Sequence, residues 1–151
     1  MKKVFLLGIF STLFLFANEG EEVFKDKCAS CHSEFVSIEK LTENFMESEN
    51  KLLNLKAPTL NQLSFRLKQQ IGNPKGDEDM HRMEVGAFIA DYLINPDKQK
   101  SVCLEDVIKH FDTMPSMKGQ VTEEEMEDVT FFLYFLEGWN GINEYYEKDE
   151  F

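Results

Sequence analysis

Basic residues are scarce in this chain: 16 Lys and Arg stand against 28 Asp and Glu, a formal net charge of −12. An excess of that sign opposes binding to nucleic acid or anionic lipid and favours a basic surface on any protein partner. Four prolines and eight glycines are scattered over 151 residues, so no stretch has a linker's composition and one domain with a real core is expected. No apolar run reaches the roughly 20 residues of a membrane-spanning helix. The longest, Val4 to Phe16, follows Lys2 and Lys3 and closes on Ala17, the layout of a secretory leader, residues 1–17, cleaved near Ala17. Export would remove Lys2 and Lys3 and leave 14 basic against 28 acidic residues, a mature charge of −14. The expected product is a periplasmic domain over 18–138 with no stable membrane anchor, followed by an acidic and aromatic tail over 139–151.

Strand-like alternation is also missing, whereas apolar residues recur at three and four, so the domain is expected to be all-α. Gly20, Val23 and Phe24 mark a short amphipathic helix. Phe35, Ile38, Leu41, Phe45, Leu52 and Leu53 predict one or two helices over 35–55, stopped by Pro58. Thr59 can cap a helix whose stripe is Leu60, Leu63, Leu67 and Ile71, with Gly72 ending it. A loop is expected over 72–79, then a helix over 82–93 burying Val85, Phe88, Ile89 and Tyr92, and a short helix over 102–111. Thr122 and Glu125 form a capping box for the last helix, which keeps its period through Met126, Val129, Phe132, Leu133 and Leu136 up to Gly138.

Only three cysteines are present, and two of them fall in Cys28-Ala29-Ser30-Cys31-His32. That spacing is a c-type haem attachment pattern. Two cysteines three apart lie about one helical turn from each other, so both sulfurs can form thioethers to the two vinyl groups on one porphyrin edge, and His32 is carried under the iron. Other chemistries fit less well. Zinc would need four ligands, and beyond the pair only Cys103, His32, His81 and His110 could serve, with no second close pair. A redox dithiol would need a strand before the pair, and a disulfide across so short a loop would stabilise little. Cys103, between Val102 and Leu104, is expected to be a buried free thiol rather than an intermolecular bridge.

A second axial ligand has three candidates. Met114 leads, because Pro115 pins the chain directly after it in a loop before the final helix, and thioether sulfur favours ferrous iron. Met117 and His110 follow. The remaining methionines and His81 are assigned to packing or surface.

These residues resemble the class I cytochromes c. Gly20 and Phe24 stand eight and four residues before Cys28, as in that family's first helix, and Phe132 falls where its last helix places an aromatic. The resemblance implies that these helices cross beside the haem, that the carbonyl of Pro58 in Lys56-Ala57-Pro58-Thr59-Leu60 accepts a hydrogen bond from His32, and that Met114-Pro115 is the axial methionine segment. The distance from His32 to Pro58 implies an inserted helical segment over 35–55, and Cys103 has no counterpart in the family's pattern. The activity implied is single-electron transfer through haem c with His32 and Met114 on the iron, between redox partners with a basic docking surface. A gas sensor or small peroxidase-like protein, and a fixed subunit of a larger oxidoreductase, are the rivals.

Overall fold

A computed structural model describes residues 13–32 and 35–136. The expected tail and the first twelve residues of the expected leader lie outside the described residues. Among the described residues six helices follow in order: α1 (Leu13–Lys27), α2 (Ile38–Thr42), α3 (Leu60–Gln70), α4 (Glu78–Ile94), α5 (Glu105–Ile108) and α6 (Glu123–Phe135). A π-helical turn, Glu43–Glu47, extends α2, and a 3-10 turn, Lys98–Lys100, follows α4. Among the described residues the only β pairing is one isolated bridge between Lys118 and Val121. No described helix is long and apolar enough to cross a membrane.

The frame is the crossing of α1 over α6, and Gly20 decides how close it can be. A Cβ on Gly20 would lie 2.1 Å from the Asp128 carbonyl oxygen and 2.6 Å from Phe132 Cβ. Only hydrogen fits there, so the two helices meet backbone to backbone. One turn later Phe24, 2% exposed, tilts against Phe132 with ring centroids 5.9 Å apart. Leu60 and Leu67 of α3, Val85 and Ile89 of α4, and Val129 and Leu133 of α6 complete this core, and Cys28 packs against it.

Polar ties fix the remaining helices to that frame. Ser64 donates to the Leu133 carbonyl and Lys68 to that of Leu136, joining α3 to the end of α6. Buried His81 donates from Nε2 to the Ile71 carbonyl at 2.9 Å, while its Nδ1 pairs with the Tyr134 hydroxyl at 2.8 Å. A backbone carbonyl that ends a helix is thereby satisfied by a side chain from α4.

A second, smaller cluster joins Leu41 and Phe45 to Val107 and Phe111, so that segment 35–55 is held against α5. Beyond Glu47 the expected helix does not continue. Asn44, fully buried, donates to Asn50 and accepts from the Leu53 amide; Asn50 in turn donates to the Leu55 carbonyl and accepts from the Leu55 amide. Two asparagines thus do for residues 50–55 what a helical ladder would have done. Glu49, Asn50 and Asn54 adopt positive φ of 48°, 63° and 47°, which a helix cannot hold. Phe35 and Leu52, two of the apolar positions on which that helix was predicted, are 58% and 41% exposed.

Other boundaries also shift. α4 begins at Glu78, four residues ahead of expectation, because Asp77 caps it by accepting from the Met80 amide at 3.0 Å. α5 is a single turn, and α6 ends at Phe135 rather than running on to Gly138. The Thr122–Glu125 capping box is present as expected, and Gly72, at φ 63°, ends α3.

Candidate functional site

The Cys28–His32 turn is the unwinding end of α1. The amides of Cys28 and Ala29 both bond the Phe24 carbonyl, and those of Cys31 and His32 both bond the Cys28 carbonyl. The helix unwinds and stops within five residues, leaving both thiols free, Cys28 half-buried and Cys31 exposed. Burial pushes the Cys28 thiol above its ordinary pKa, only partly offset by the Lys27 charge. A raised thiol is a poor thiolate, so this is not the electropositive setting of a catalytic dithiol.

His32 is held from outside the turn. Its Nδ1 lies 2.7 Å from the Pro58 carbonyl oxygen, 26 residues away. A carbonyl only accepts, so Nδ1 carries the proton and Nε2 carries the free lone pair. Burial holds the imidazole below its ordinary pKa, with the bond to Pro58 acting the other way. A neutral ring with its far nitrogen bare and its near nitrogen fixed to backbone is the state a metal requires of a histidine ligand.

Pro58 is itself held in place. Thr59 donates its amide to the Gln62 side chain at 3.0 Å, starting α3, and its hydroxyl to Asn61 Oδ1 at 2.6 Å. Asn61, 1% exposed, reaches back with Nδ2 to the Val36 carbonyl at 2.8 Å. The chain leaving His32 and the chain arriving at Pro58 are therefore pinned together by one buried amide. The Phe24 ring sits 6.5 Å from the His32 ring and ties the turn to the core.

Met114 stands apart from this group in sequence, on the loop between α5 and α6, and is half-buried. Its loop is anchored just downstream: the Met117 amide donates to the Leu93 carbonyl at 2.7 Å, and the Ser116 hydroxyl to that of Ile94 at 2.6 Å. Met117 has thus committed its backbone to the end of α4. His110 has gone into the second cluster, its ring stacked on Phe45 at 5.7 Å, and its buried Nε2 has no hydrogen-bond partner.

Cys103 is half-buried, its amide bonded to the Ser101 hydroxyl, and burial raises its pKa. The expectation was a buried free thiol; Cys103 is free but only half-buried. Sequence reasoning missed Asn61, Asn44 and Lys27. The asparagines tie segments together through contacts such as Asn44–Asn50 and Asn61–Val36, 6 and 25 residues apart, and Lys27 bonds Gln120 and Glu125 more than 90 residues on, so no local pattern singles them out.

A family model described as cytochrome c matches residues 17–136 of the chain. An uncharacterized protein of Aquifex aeolicus (strain VF5) is 31% identical over 127 residues, an alignment covering 82% of this chain and 78% of that one. No solved structure matches the chain.

Proposed function

This chain belongs to the cytochrome c family, and we propose that it is a periplasmic single-electron carrier whose haem is joined to Cys28 and Cys31 and whose iron is held between His32 and Met114. Covalently attached haem c is the family's cofactor and electron transfer its general activity. When bound, that group supplies one reversible electron at iron.

The observation that carries the reading is the 2.7 Å bond from His32 to Pro58. It fixes the tautomer and ring orientation that an iron ligand needs, and the two thiols that could bear thioethers sit within four residues of the same ring. The donor set therefore fits the group. Phe24, Phe132 and Asn61 hold the turn against rearrangement, which keeps reorganisation small when the iron changes charge. Export of the chain, the leader reading of residues 1–17 and a basic partner surface drawn to the mature charge of −14 complete the proposal.

Met114 is preferred to Met117 because Pro115 follows it directly and fixes the backbone at that point of the loop. The test is the near-infrared sulfur-to-iron band of the ferric protein. It is expected in the parent, lost in Met114→Ala with carbon monoxide then binding the reduced form, and kept in Met117→Ala. Loss in Met117→Ala alone would move the ligand three residues. One observation favours a second reading, the bare and buried Nε2 of His110; a parent without the band, restored to it by no methionine but altered in spectrum by His110→Ala, would select it.

A further inference from the structure

We propose that the outer face of α4 is a docking surface for an amphipathic helix of a partner protein, one whose apolar seam is bordered by lysine or arginine. The inference goes beyond electron transfer and does not depend on which side chain opposes His32 on the iron.

A helix on the surface of a domain needs one apolar stripe, with polar residues opposite. α4, 17 residues long, has two. The first is buried: His81, Val85 and Ile89 face the interior, and Phe88 packs against the same core. The second runs through Met80, Met83, Ala87, Ala90 and Ile94. At the pitch of an α-helix its mean direction is opposite that of His81, Val85 and Ile89. None of the five belongs to either apolar cluster of the described residues. Met80 and Met83 are 65% and 69% exposed, more than any other large apolar side chain described, and Ala87 is exposed as well.

The second stripe steps by three and four residues in strict alternation. That is the a and d pattern of a helix–helix seam, not the scatter of single apolar residues that any surface carries. From Met80 to Ile94 the seam is about 21 Å long. Its middle is low, because Ala87 and Ala90 stand between Met83 and Ile94, so a large side chain of a second helix can enter there as a knob. The two methionines at its start supply flexible, polarizable contacts that adapt to a partner.

Charge selects the occupant. The positions that border such a seam are Asp79, Gly86 and Leu93 on one side and Glu84 and Asp91 on the other. The border is therefore acidic, with no basic residue in it. Asp79 and Asp91 keep 82% and 52% of their side chains exposed while paired with Arg82 and Lys100, and Glu84 is exposed. Exposed pairs of that kind are weak, so both carboxylates can exchange partners at little cost. A second copy of the chain would set these carboxylates against their own kind. A helix with Lys or Arg beside its apolar residues meets both the seam and its border.

The experiment is fluorescence polarisation of a labelled synthetic helix of about three heptads, with Leu at a and d and Lys at e and g, titrated with the haem-loaded protein. A Leu/Glu helix and a Ser/Lys helix of the same length are the comparison probes. The Leu/Lys helix is expected to bind at least about tenfold more tightly than either, a difference of about 1.4 kcal/mol. Met83→Lys is expected to weaken that binding at least about tenfold, with the absorption spectrum and Tm of the parent, since the side chain it replaces faces solvent. Met46→Lys makes the same change of charge at a side chain 54% exposed on another segment, and is expected to stay within about twofold of the parent. The docking surface is overturned if Met83→Lys stays within about twofold of the parent, if Met46→Lys weakens binding as much, or if the Ser/Lys helix binds as tightly as the Leu/Lys helix. A Leu/Glu helix bound equally well overturns the basic partner. A parent that sediments as a dimer while Met83→Lys sediments as a monomer overturns the proposal in favour of a second copy.

Discussion

Replacing Gly20 by alanine should reverse the usual sign of a glycine-to-alanine change in a helix. In an open helical position alanine is favoured by about 1 kcal/mol. Here the new Cβ would meet the Asp128 carbonyl oxygen at 2.1 Å and Phe132 Cβ at 2.6 Å. Neither neighbour can rotate away, since one is backbone and the other the first atom of its side chain. To restore ordinary contact α1 and α6 must part by more than about 1 Å, which also loosens Phe24 against Phe132. Overpacking of this kind costs about 1–3 kcal/mol, and the rigidity of both neighbours places Gly20→Ala near the upper end even after the propensity gain. For a domain of this size a loss of about 3 kcal/mol lowers Tm by roughly 10 °C. Denaturant and thermal unfolding of the haem-loaded protein measure it. Gly86→Ala supplies the contrast, because its Cβ would meet the Thr130 methyl at 3.2 Å, a side-chain atom, and it should change stability by less than about 1 kcal/mol. A Gly20→Ala protein as stable as the parent would refute the close crossing.

Asn61→Leu should lose about 2–4 kcal/mol in denaturant unfolding, since it strips buried partners from the Val36 carbonyl and the Thr59 hydroxyl; a loss of less than about 1 kcal/mol would mean that the two chain segments flanking His32 and Pro58 do not depend on it. Lys27 holds the Glu125 carboxyl below its ordinary pKa, so the unfolded chain binds that proton first: the stabilisation is complete above the unfolded value near 4.5 and is lost as pH falls through the lower folded value. Acid unfolding should accordingly start at a similar pH but fall less steeply in Glu125→Gln, and an unchanged slope would count against the contact. Cys103 should react with a thiol reagent at least about tenfold more slowly in the native protein than in denaturant, and non-reducing gels should show a monomer. Electron transfer to a basic protein partner should slow as ionic strength rises and the Debye length shrinks from about 30 Å to 10 Å; a rate indifferent to salt would point to an apolar docking face.

The parts of this protein legible from its residues are those whose cause is local or recurrent. Thr122 with Glu125 three residues on states a helix start in four residues, and Gly20, Phe24 and Phe132 announce a crossing through their types and spacing. The bond from His32 to Pro58 was expected from the family resemblance and not from spacing alone, since a carbonyl 26 residues away leaves no periodic trace. Segment 35–55 is less helical than its apolar spacing predicts. Its apolar spacing there reflects Leu41 and Phe45 packing on α5, while the backbone beyond Glu47 is organised by two asparagine amides that no hydrophobic pattern encodes. The early start of α4 has a local signal, Asp77, but the lysine, glycine and acidic residues around it also fit a loop. Lys27 carries no such signal, for a lysine at a helix end is ordinarily solvated.

The central claim is covalent haem on the Cys28–His32 turn, and the mass of the purified protein tests it most directly. The expected product is a polypeptide carrying one haem that survives acid-acetone extraction and denaturing electrophoresis, with the added mass mapped to the peptide containing Cys28 and Cys31, and at most one thioether in Cys31→Ala. A mass equal to the bare polypeptide, or haem that extracts freely, would contradict it.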